Sequence, residues 1–394
     1  MSGIYIHIPF CRQACHYCDF HFSTSLKSKQ AFLNALKKEI YLQKDYLTPD
    51  PSPAGDKRMI EAVNTIYFGG GTPSVLSGDE IKQIVDELSK YFSIDKDAEI
   101  TLEANPDDLS KEKLKELSQT PINRLSIGIQ SFRDEDLKFL NRIHDSSDAI
   151  QSVKEAQEAG FKNITIDLIY GIQTLTNEQW EKNIQIAFSL DVLHISCYSL
   201  TVEPRTALAA FIKKGKMQNV DPQKSAEQFE TLMNEMRKNN FIHYEISNFC
   251  KKDFYSKHNT SYWKGTHYLG LGPSAHSYNG NSRQWNVSSN HVYINSTEKN
   301  ILPFEKELLT QEQKFNEYIM TSLRTIWGID LSFVEKQFGN KLLRHLLTHS
   351  EKYLQSKEII SRLDEKDRGG ALFLLADNGK LFADKIASDL FVVS

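Results

Sequence analysis

The sequence has little of several features that would place it in a specialised class. No apolar run approaches the roughly 20 residues that span a bilayer, and Ala371–Ala376 is among the longest. Acidic and basic residues nearly balance at 51 Asp and Glu against 47 Lys and Arg, giving a net charge of −4, which argues against a general polyanion binder. The start, Met1–His7, has no basic segment followed by a sustained apolar stretch. We therefore expect a cytoplasmic protein that does not bind nucleic acid.

Cysteine is also scarce, since five occur in 394 residues. An odd number in a long chain that we expect to stay inside the cell is not a disulfide framework. The length exceeds the roughly 250–300 residues at which a single core stops growing, so we expect a large domain followed by a smaller one. We place these at residues 1–200 for a barrel core, 201–300 for an extension of it, and 301–394 for a C-terminal domain.

The first half alternates short β-branched or apolar runs with amphipathic helical stretches, which is typical of a parallel sheet with helical crossovers. The predicted strands are Ile4–Ile8, Asn64–Phe68, Glu99–Glu103, Arg124–Gln130, Asn163–Tyr170 and Val192–Tyr198. The clearest helical stripe places Ile81, Ile84, Val85, Leu88 and Phe92 on one face. An open sheet and a barrel both satisfy this α/β pattern.

After Pro303 the pattern changes to helices, predicted at about Thr310–Ile326, Leu331–Phe338 and Lys341–Ser356. Two short strands and a last helix follow, which is winged-helix-like order for a mainly helical domain. We find no concentrated basic stripe that would support DNA binding. A cover over the barrel mouth, or a docking surface for a partner, fits this domain better.

Three of the cysteines, Cys11, Cys15 and Cys18, form a C-x3-C-x2-C run directly after the first predicted strand. Three thiolates on one loop can hold three irons of a 4Fe–4S cluster, which leaves the fourth iron open to a small molecule.

Thiolates also suit zinc. The alternatives are a zinc site completed by His16, His21 or a distant cysteine, and three buried free thiols. Cys197 and Cys250 lie in apolar or aromatic settings and receive no role.

The cysteine run resembles the cluster loop of the radical S-adenosylmethionine (SAM) superfamily. This resemblance implies a partial (β/α)6 barrel, a 4Fe–4S cluster bound by Cys11, Cys15 and Cys18, and SAM at the open iron. In that superfamily an electron from the cluster cleaves SAM to a 5′-deoxyadenosyl radical, and the position of Tyr17 borders the adenine.

Chemistry in a barrel of parallel strands gathers at the carboxyl ends of the strands. Here those ends carry Gly69–Pro73, Glu103, Gln130 and Asp167, which together predict a lined pocket. With Asn141–His144, these segments resemble the coproporphyrinogen III oxidase-like family of the superfamily. That resemblance implies SAM contacts from the following residues: Tyr5, Gly70, Gly71, Thr72, Glu103, Gln130, Arg142 and Asp167.

Two members of that family must be separated. The oxygen-independent oxidase has a fourth cysteine two residues after the third, where this sequence has Phe20. The oxidase also has an extension ahead of its first strand, which we do not expect here because the first predicted strand begins at Ile4. The C-x3-C-x2-C-x-F form resembles the heme chaperones of the family.

A second feature agrees with the chaperone. His258-Asn259-Thr260-Ser261-Tyr262-Trp263 matches the chaperones' H-N-x-x-Y-W pattern. Histidine can ligate heme iron and aromatic rings can stack on a porphyrin, so His258, Tyr262 and Trp263 are the candidate heme-binding residues. Packing between domains is the alternative for such a loop.

The resemblance predicts a heme chaperone with a 4Fe–4S cluster, SAM and heme as cargo. Its partners are heme and a hemoprotein acceptor, so peripheral attachment at the inner membrane face is compatible if the acceptor is a membrane protein, and a homodimer remains open. The alternatives are oxidative decarboxylation of coproporphyrinogen III and a zinc-stabilised nucleic-acid-binding protein.

Overall fold

The computed structural model describes residues 2–47, 62–363 and 370–393. Its strands are β1 (Ser2–Ile8), β2 (Val63–Gly70), β3 (Ile94–Ala104), β4 (Arg124–Gln130), β5 (Asn163–Tyr170), β6 (His194–Ser199), β7 (Ile242–Glu245), β8 (Asn248–Cys250), β9 (His267–Leu271), β10 (His276–Tyr278), β11 (Ser282–Asn286), β12 (Phe304–Leu308), β13 (Ile329–Asp330), β14 (Ile359–Leu363) and β15 (Ala371–Leu375).

The helices alternate with these strands in the first half of the chain and dominate after residue 310. They are α1 (Lys29–Leu42), α2 (Gly78–Ser89), α3 (Lys111–Leu117), α4 (Asp134–Phe139), α5 (Ser146–Glu158), α6 (Asn177–Ser189), α7 (Ala207–Lys213), α8 (Pro222–Lys238), α9 (Lys257–Trp263), α10 (Asn290–Glu298), α11 (Gln311–Leu323), α12 (Leu331–Phe338), α13 (Asn340–Gln355), α14 (Asp377–Lys380) and α15 (Ala383–Asp389).

Six parallel strands, β1 to β6, pair in chain order and form the barrel core. Helices cover the sheet because their apolar stripes need burial. In α2 the predicted stripe is buried, and Ser77 and Glu80 form a capping box at its start. Because all six strands run the same way, their carboxyl ends meet at one rim, where the functional side chains lie.

The region from 201 to 308 extends this sheet at both edges. β9 pairs in parallel with β1, and β10, β11 and β12 follow in antiparallel order, while β8 and β7 continue beyond β6. The sequence predicts a less regular stretch here. The strands are three to five residues long, too short to show a periodicity of their own.

A second hydrophobic core, built around Phe315, Ile319 and Leu346, holds the C-terminal helices and a three-stranded sheet of β13, β15 and β14. The order α11, β13, α12, α13, β14, β15 is that of a winged helix. The boundaries at residues 200 and 300 stay a prediction, since the strands of 201–300 belong to the barrel's own sheet.

Backbone hydrogen bonds fasten the C-terminal domain to the edge of the large sheet. The Ile246 amide donates to the Arg324 carbonyl (3.1 Å), and the Ile326 amide donates to the Tyr244 carbonyl (3.0 Å). These bonds position α11 next to α9. Among the described helices, none combines the length and apolar character needed to cross a membrane.

Candidate functional site

The cysteine loop leaves β1 and is pinned at both ends. The Cys11 amide donates to the Ser23 carbonyl (3.0 Å), and the Ser23 amide donates back to the Pro9 carbonyl (2.9 Å). At its middle, the His16 amide donates to the Leu140 carbonyl (3.1 Å). Because both ends and the middle are held by backbone bonds, the loop presents its three thiols from a fixed position.

Asn141 gives this loop a second support. Its side-chain amide donates to the Ala14 carbonyl (2.7 Å), and its own carbonyl accepts from the Gln13 side chain (2.9 Å). Its φ of 60° lies in the left-handed region, which Asn tolerates better than most residues. The motif around Arg142 predicts no separate role for Asn141, although an Asn at this position is typical of a turn.

Burial, together with the charges of the neighbouring thiolates, raises the pKa of Cys11 and of Cys18 to about 11, while the Arg142 charge opposes this rise. Without a metal these thiols are therefore protonated near neutral pH. Metal binding must displace their protons, which a polycation at this position does readily.

The residues present fit an iron–sulfur cluster. A Cβ on Gly71 would lie 2.6 Å from the Phe10 carbonyl oxygen and 3.0 Å from the Cys11 sulfur, so glycine is required against this thiol. Within the described residues, no three His, Cys, Asp or Glu side chains are gathered to hold a single metal ion. Three thiolates presented from one loop suit three irons of a 4Fe–4S cluster, and this ligand set stays a prediction.

The two histidines considered for a zinc site are engaged elsewhere. Nδ1 of His16 lies 2.9 Å from the Phe139 carbonyl oxygen, and Nε2 of His21 lies 2.8 Å from Oδ1 of Asn290. Each imidazole thus directs one nitrogen to an acceptor outside the cysteine loop.

The glycine turn after β2 meets the acid at the end of β3. The Gly70 amide donates to Glu103 Oε2 (3.2 Å), and the Tyr67 hydroxyl donates to Glu103 Oε1 (2.8 Å). Gly70 has a φ of 108°, and a Cβ there would lie 2.7 Å from the His7 ring, so no other residue fits. Tyr67 is a contributor that the sequence analysis missed.

Arg142 connects the turn to the cysteine loop. Its Nη2 donates to Asn105 Oδ1 (2.6 Å) and to the Gly128 carbonyl (2.9 Å), while its Nη1 donates to the Cys15 sulfur (3.4 Å). Asn105 in turn donates to Thr72 Oγ1 (3.2 Å). The Nε of Arg142 is buried and finds no acceptor in the described part of the chain, so one donor of this cation remains for a ligand.

Two half-buried acids face this region. Burial, together with the Asp167 charge, raises the pKa of Glu103 to about 7, and burial raises the pKa of Asp167 to about 6. The Ser126 hydroxyl lies 3.4 Å from Asp167. Both acids therefore change their ionisation near neutral pH, so the negative charge at this rim increases as the pH rises.

The remaining predicted SAM residues lie around the same rim. Burial raises the pKa of Tyr17, which also senses the charges of Arg142 and Asp167. Gln130 ends β4 with a φ of 69°, in the left-handed region that bulky residues avoid. Tyr5 lies deeper, stacked on Tyr67 with ring centres 6.1 Å apart. The structure thus gathers the predicted residues from β1 to β5 and from the segments that follow these strands, and their role as SAM ligands stays a prediction.

His258 lies away from this rim. It is fully buried, with Nδ1 2.8 Å from Thr65 Oγ1 and Nε2 2.8 Å from the Tyr262 hydroxyl, while its amide donates to Glu99 (3.1 Å). Its ring approaches Gly3 near the start of β1, whereas the cysteines follow the end of that strand. The structure therefore does not bring His258 together with the cysteine loop.

Tyr262 and Trp263, in contrast, line a large cavity of about 1250 Å³ between β9 to β11 and the C-terminal domain. We call this cavity the aromatic groove. It extends past Trp327 and Phe333 to Phe20 and His21, just after the cysteine loop. The phenyl ring of Phe20 is 71% exposed. The groove thus joins the cysteine end of the barrel to the C-terminal domain.

Comparison with known proteins agrees with this architecture. Residues 5–187 match the model of the radical SAM superfamily. The chain is 36% identical to the heme chaperone HemW of Bacillus subtilis, over 87% of this chain and 88% of that protein. It is 34% identical to the heme chaperone HemW of Lactococcus lactis, over 86% and 85%.

The coproporphyrinogen III oxidase HemN of Escherichia coli, a radical SAM enzyme, superimposes with a TM-score of 0.81 over 99% of this chain and 90% of its own. At 22% identity this likeness shows the fold alone, and it confirms the predicted partial barrel with its smaller C-terminal domain.

Proposed function

Because this chain belongs to the HemW family of heme chaperones within the radical SAM superfamily, we propose that it binds a 4Fe–4S cluster, SAM and heme, and delivers the heme to a hemoprotein. The cluster is held by Cys11, Cys15 and Cys18. When bound, such a cluster supplies an electron to SAM at its open iron.

The rim residues bind and orient SAM. Arg142 pairs with the SAM carboxylate through the donor that it keeps free. The backbone of the Gly70–Thr72 turn approaches the ligand closely, because glycine leaves no side chain in the way. Glu103 and Asp167 accept hydrogen bonds from the ribose and ammonium groups when they are ionised. Tyr17 borders the adenine.

The observation that carries the chaperone function over the oxidase is Phe20. Where the oxidase pattern has a fourth cysteine, this chain places an exposed phenyl ring that lines the aromatic groove. A phenyl ring cannot ligate or donate, but it can stack on a flat apolar macrocycle. The position therefore serves binding of a porphyrin rather than its chemistry. The acceptor of the heme is a hemoprotein.

Anaerobic reconstitution tests this proposal in two steps. The cluster-loaded protein should contain about four irons and four sulfides per chain, and should then bind heme with a stable Soret band at micromolar concentration. Incubation with coproporphyrinogen III, SAM and a reductant should leave that substrate unchanged.

Three results would contradict the proposal. Zinc in place of iron would contradict the assignment of a 4Fe–4S cluster. Failure to bind heme at micromolar concentration would contradict the chaperone function. Conversion of coproporphyrinogen III would identify an oxidase instead. Transfer of bound heme to an apo-hemoprotein completes the positive case.

A further inference from the structure

One wall of the aromatic groove is formed by the short strands β9, β10 and β11. Across the antiparallel pair of β10 and β11, His276 lies opposite Trp285 and Tyr278 lies opposite Arg283. Opposed residues of such a pair point to the same face of the sheet. The alternate residues Ser277 and Gln284 are buried on the other face. His276, Tyr278 and Arg283 therefore project together into the groove, which all three line.

His276 differs from the other histidines of the groove in its surroundings. His7 is buried, and its Nε2 lies 2.8 Å from the His21 carbonyl. His267 has its Nε2 against the backbone of Gly280, where an added Cβ would come within 2.8 Å. The His276 side chain is exposed on one side, stacks on Trp285 with ring centres 6.1 Å apart, and makes no hydrogen bond within the described residues. Its partial burial and the Arg283 charge lower its pKa, which favours the neutral, ligating imidazole.

Two cations stand at one end of the groove. Arg283 pairs with Glu317 (2.8 Å), yet its Nε is buried without an acceptor among the described residues. Lys314, on α11, donates to the Asn281 side chain (2.8 Å). Both line the groove. An anionic group entering here would therefore meet one unsatisfied guanidinium donor and one ammonium.

The opposite wall is aromatic. Tyr318, Trp327 and Phe333 come from the C-terminal domain, and Tyr262 and Trp263 come from α9. The volume of about 1250 Å³ exceeds the roughly 300–1,000 Å³ of ordinary small-ligand sites. A large flat apolar ligand with anionic substituents and a metal fits this combination of walls, cations and imidazole.

We propose that heme is held in the aromatic groove with His276 as the iron ligand and with its propionates against Arg283 and Lys314. This inference rests on the proposed function, because it assumes heme as cargo. It assigns the iron to His276 and gives His258 a positioning role, since the His258 ring holds the Tyr262 hydroxyl at 2.8 Å.

The test compares His276→Ala with His291→Ala, which removes an exposed histidine outside the groove. Heme is titrated into both cluster-loaded variants and into the unaltered protein, and difference spectra are recorded against the heme-free forms. For His276→Ala we expect a shifted Soret band and an affinity lower by about tenfold or more, which free imidazole restores. His291→Ala should match the unaltered protein. A structural role of His276 would not be rescued by imidazole.

The outcomes separate the inference from the function on which it rests. If the unaltered protein binds heme and His276→Ala keeps its spectrum and affinity, the ligand assignment is wrong while the chaperone function stands. The same holds if His267→Ala, and not His276→Ala, changes the spectrum. If the unaltered protein binds no heme, the proposed function fails, and the inference fails with it.

Discussion

The two ends of the barrel are built from similar side chains but leave them in different states. At the amino-terminal end of the strands, which we call the floor, Thr65, His258 and Tyr262 form a closed chain of hydrogen bonds with contacts of 2.8 Å. Thr165, His194 and Tyr244 form a second chain there, with contacts of 2.6 and 2.8 Å. At the rim, the three cysteines are free thiols, and the Nε of Arg142 has no hydrogen-bond partner within the described residues.

This difference shows that residue type alone does not distinguish a side chain that binds a cofactor from one that stabilises the fold. Both ends carry histidines or acids that are at least half-buried, and at the floor the buried Arg124 has the carboxylate of the buried Glu99 at 4.0 Å from its Nε. A floor group whose donors and acceptors are already satisfied stabilises the fold. A rim group with a remaining donor or an unligated thiol is available to a cofactor. The following predictions test that distinction.

The largest effect is expected at the cysteine loop. Cys11→Ala removes one of three cluster ligands, so reconstituted iron and the visible absorbance of the cluster should fall nearly to zero. Cys250→Ala is the matched control, because Cys250 is buried in β8 and lies outside the rim. Equal iron content in the two variants would contradict the assignment of ligands.

Arg142 should come next. Arg142→Met removes the charge that pairs with the SAM carboxylate, and the loss of a charged hydrogen bond of about 2 kcal/mol corresponds to about thirtyfold weaker binding. Calorimetric titration of SAM into cluster-loaded protein measures it, after the iron content has been matched. The control Arg12→Met removes a half-exposed arginine paired with Asp108, and an equal loss there would make the effect non-specific.

The acids of the rim should make SAM binding depend on pH. Because burial places the pKa of Glu103 at about 7, its ionised fraction rises from about 10% at pH 6 to about 90% at pH 8. SAM affinity should therefore increase by up to about tenfold over that interval. Glu103→Gln should flatten the profile, and an unchanged slope in that variant would show that Glu103 does not face the ligand.

The floor should show its effect in stability rather than in binding. Burial lowers the pKa of His258 to about 3 from an unfolded value of 6.5. A histidine with a depressed folded pKa stabilises the fold above about pH 6.5, and this contribution is lost progressively as the pH falls toward 3.

Between pH 7.5 and 5.5, His258 should account for a loss of about 1.4 kcal/mol in the free energy of unfolding. Urea titrations of the unaltered protein and of His258→Gln measure this difference. The two proteins would show equal losses if His258 were solvated, in which case the floor would not be the closed network described.

The sequence predicts the parts of this molecule that depend on local pattern. β4 and β5 begin and end at the predicted residues, and the α2 stripe is buried as expected. The cysteines and the residues of the rim follow strands, so their meeting could be inferred from the parallel topology. These features need only periodicity and the rule that parallel strands end together.

What the sequence could not predict depends on contacts between distant segments. His258 meets Thr65 across 193 positions, and no spacing within its own motif reveals that partner. The groove likewise joins β10 and β11 to α11, and strands of three to five residues leave no period to detect. An aromatic and histidine-rich motif therefore shows which residue types are present, but it does not predict which of its rings face a ligand.

The exposed phenyl of Phe20 has a thermodynamic consequence for any ligand that covers it. Full burial of such a side chain is worth about 1.5–3 kcal/mol, and 71% of this one still faces water. Covering it would contribute about 1–2 kcal/mol, or about five- to thirtyfold in affinity. The chain therefore carries an exposed apolar surface directly beside its cysteine loop. Any apolar ligand that replaces water on this surface gains binding free energy.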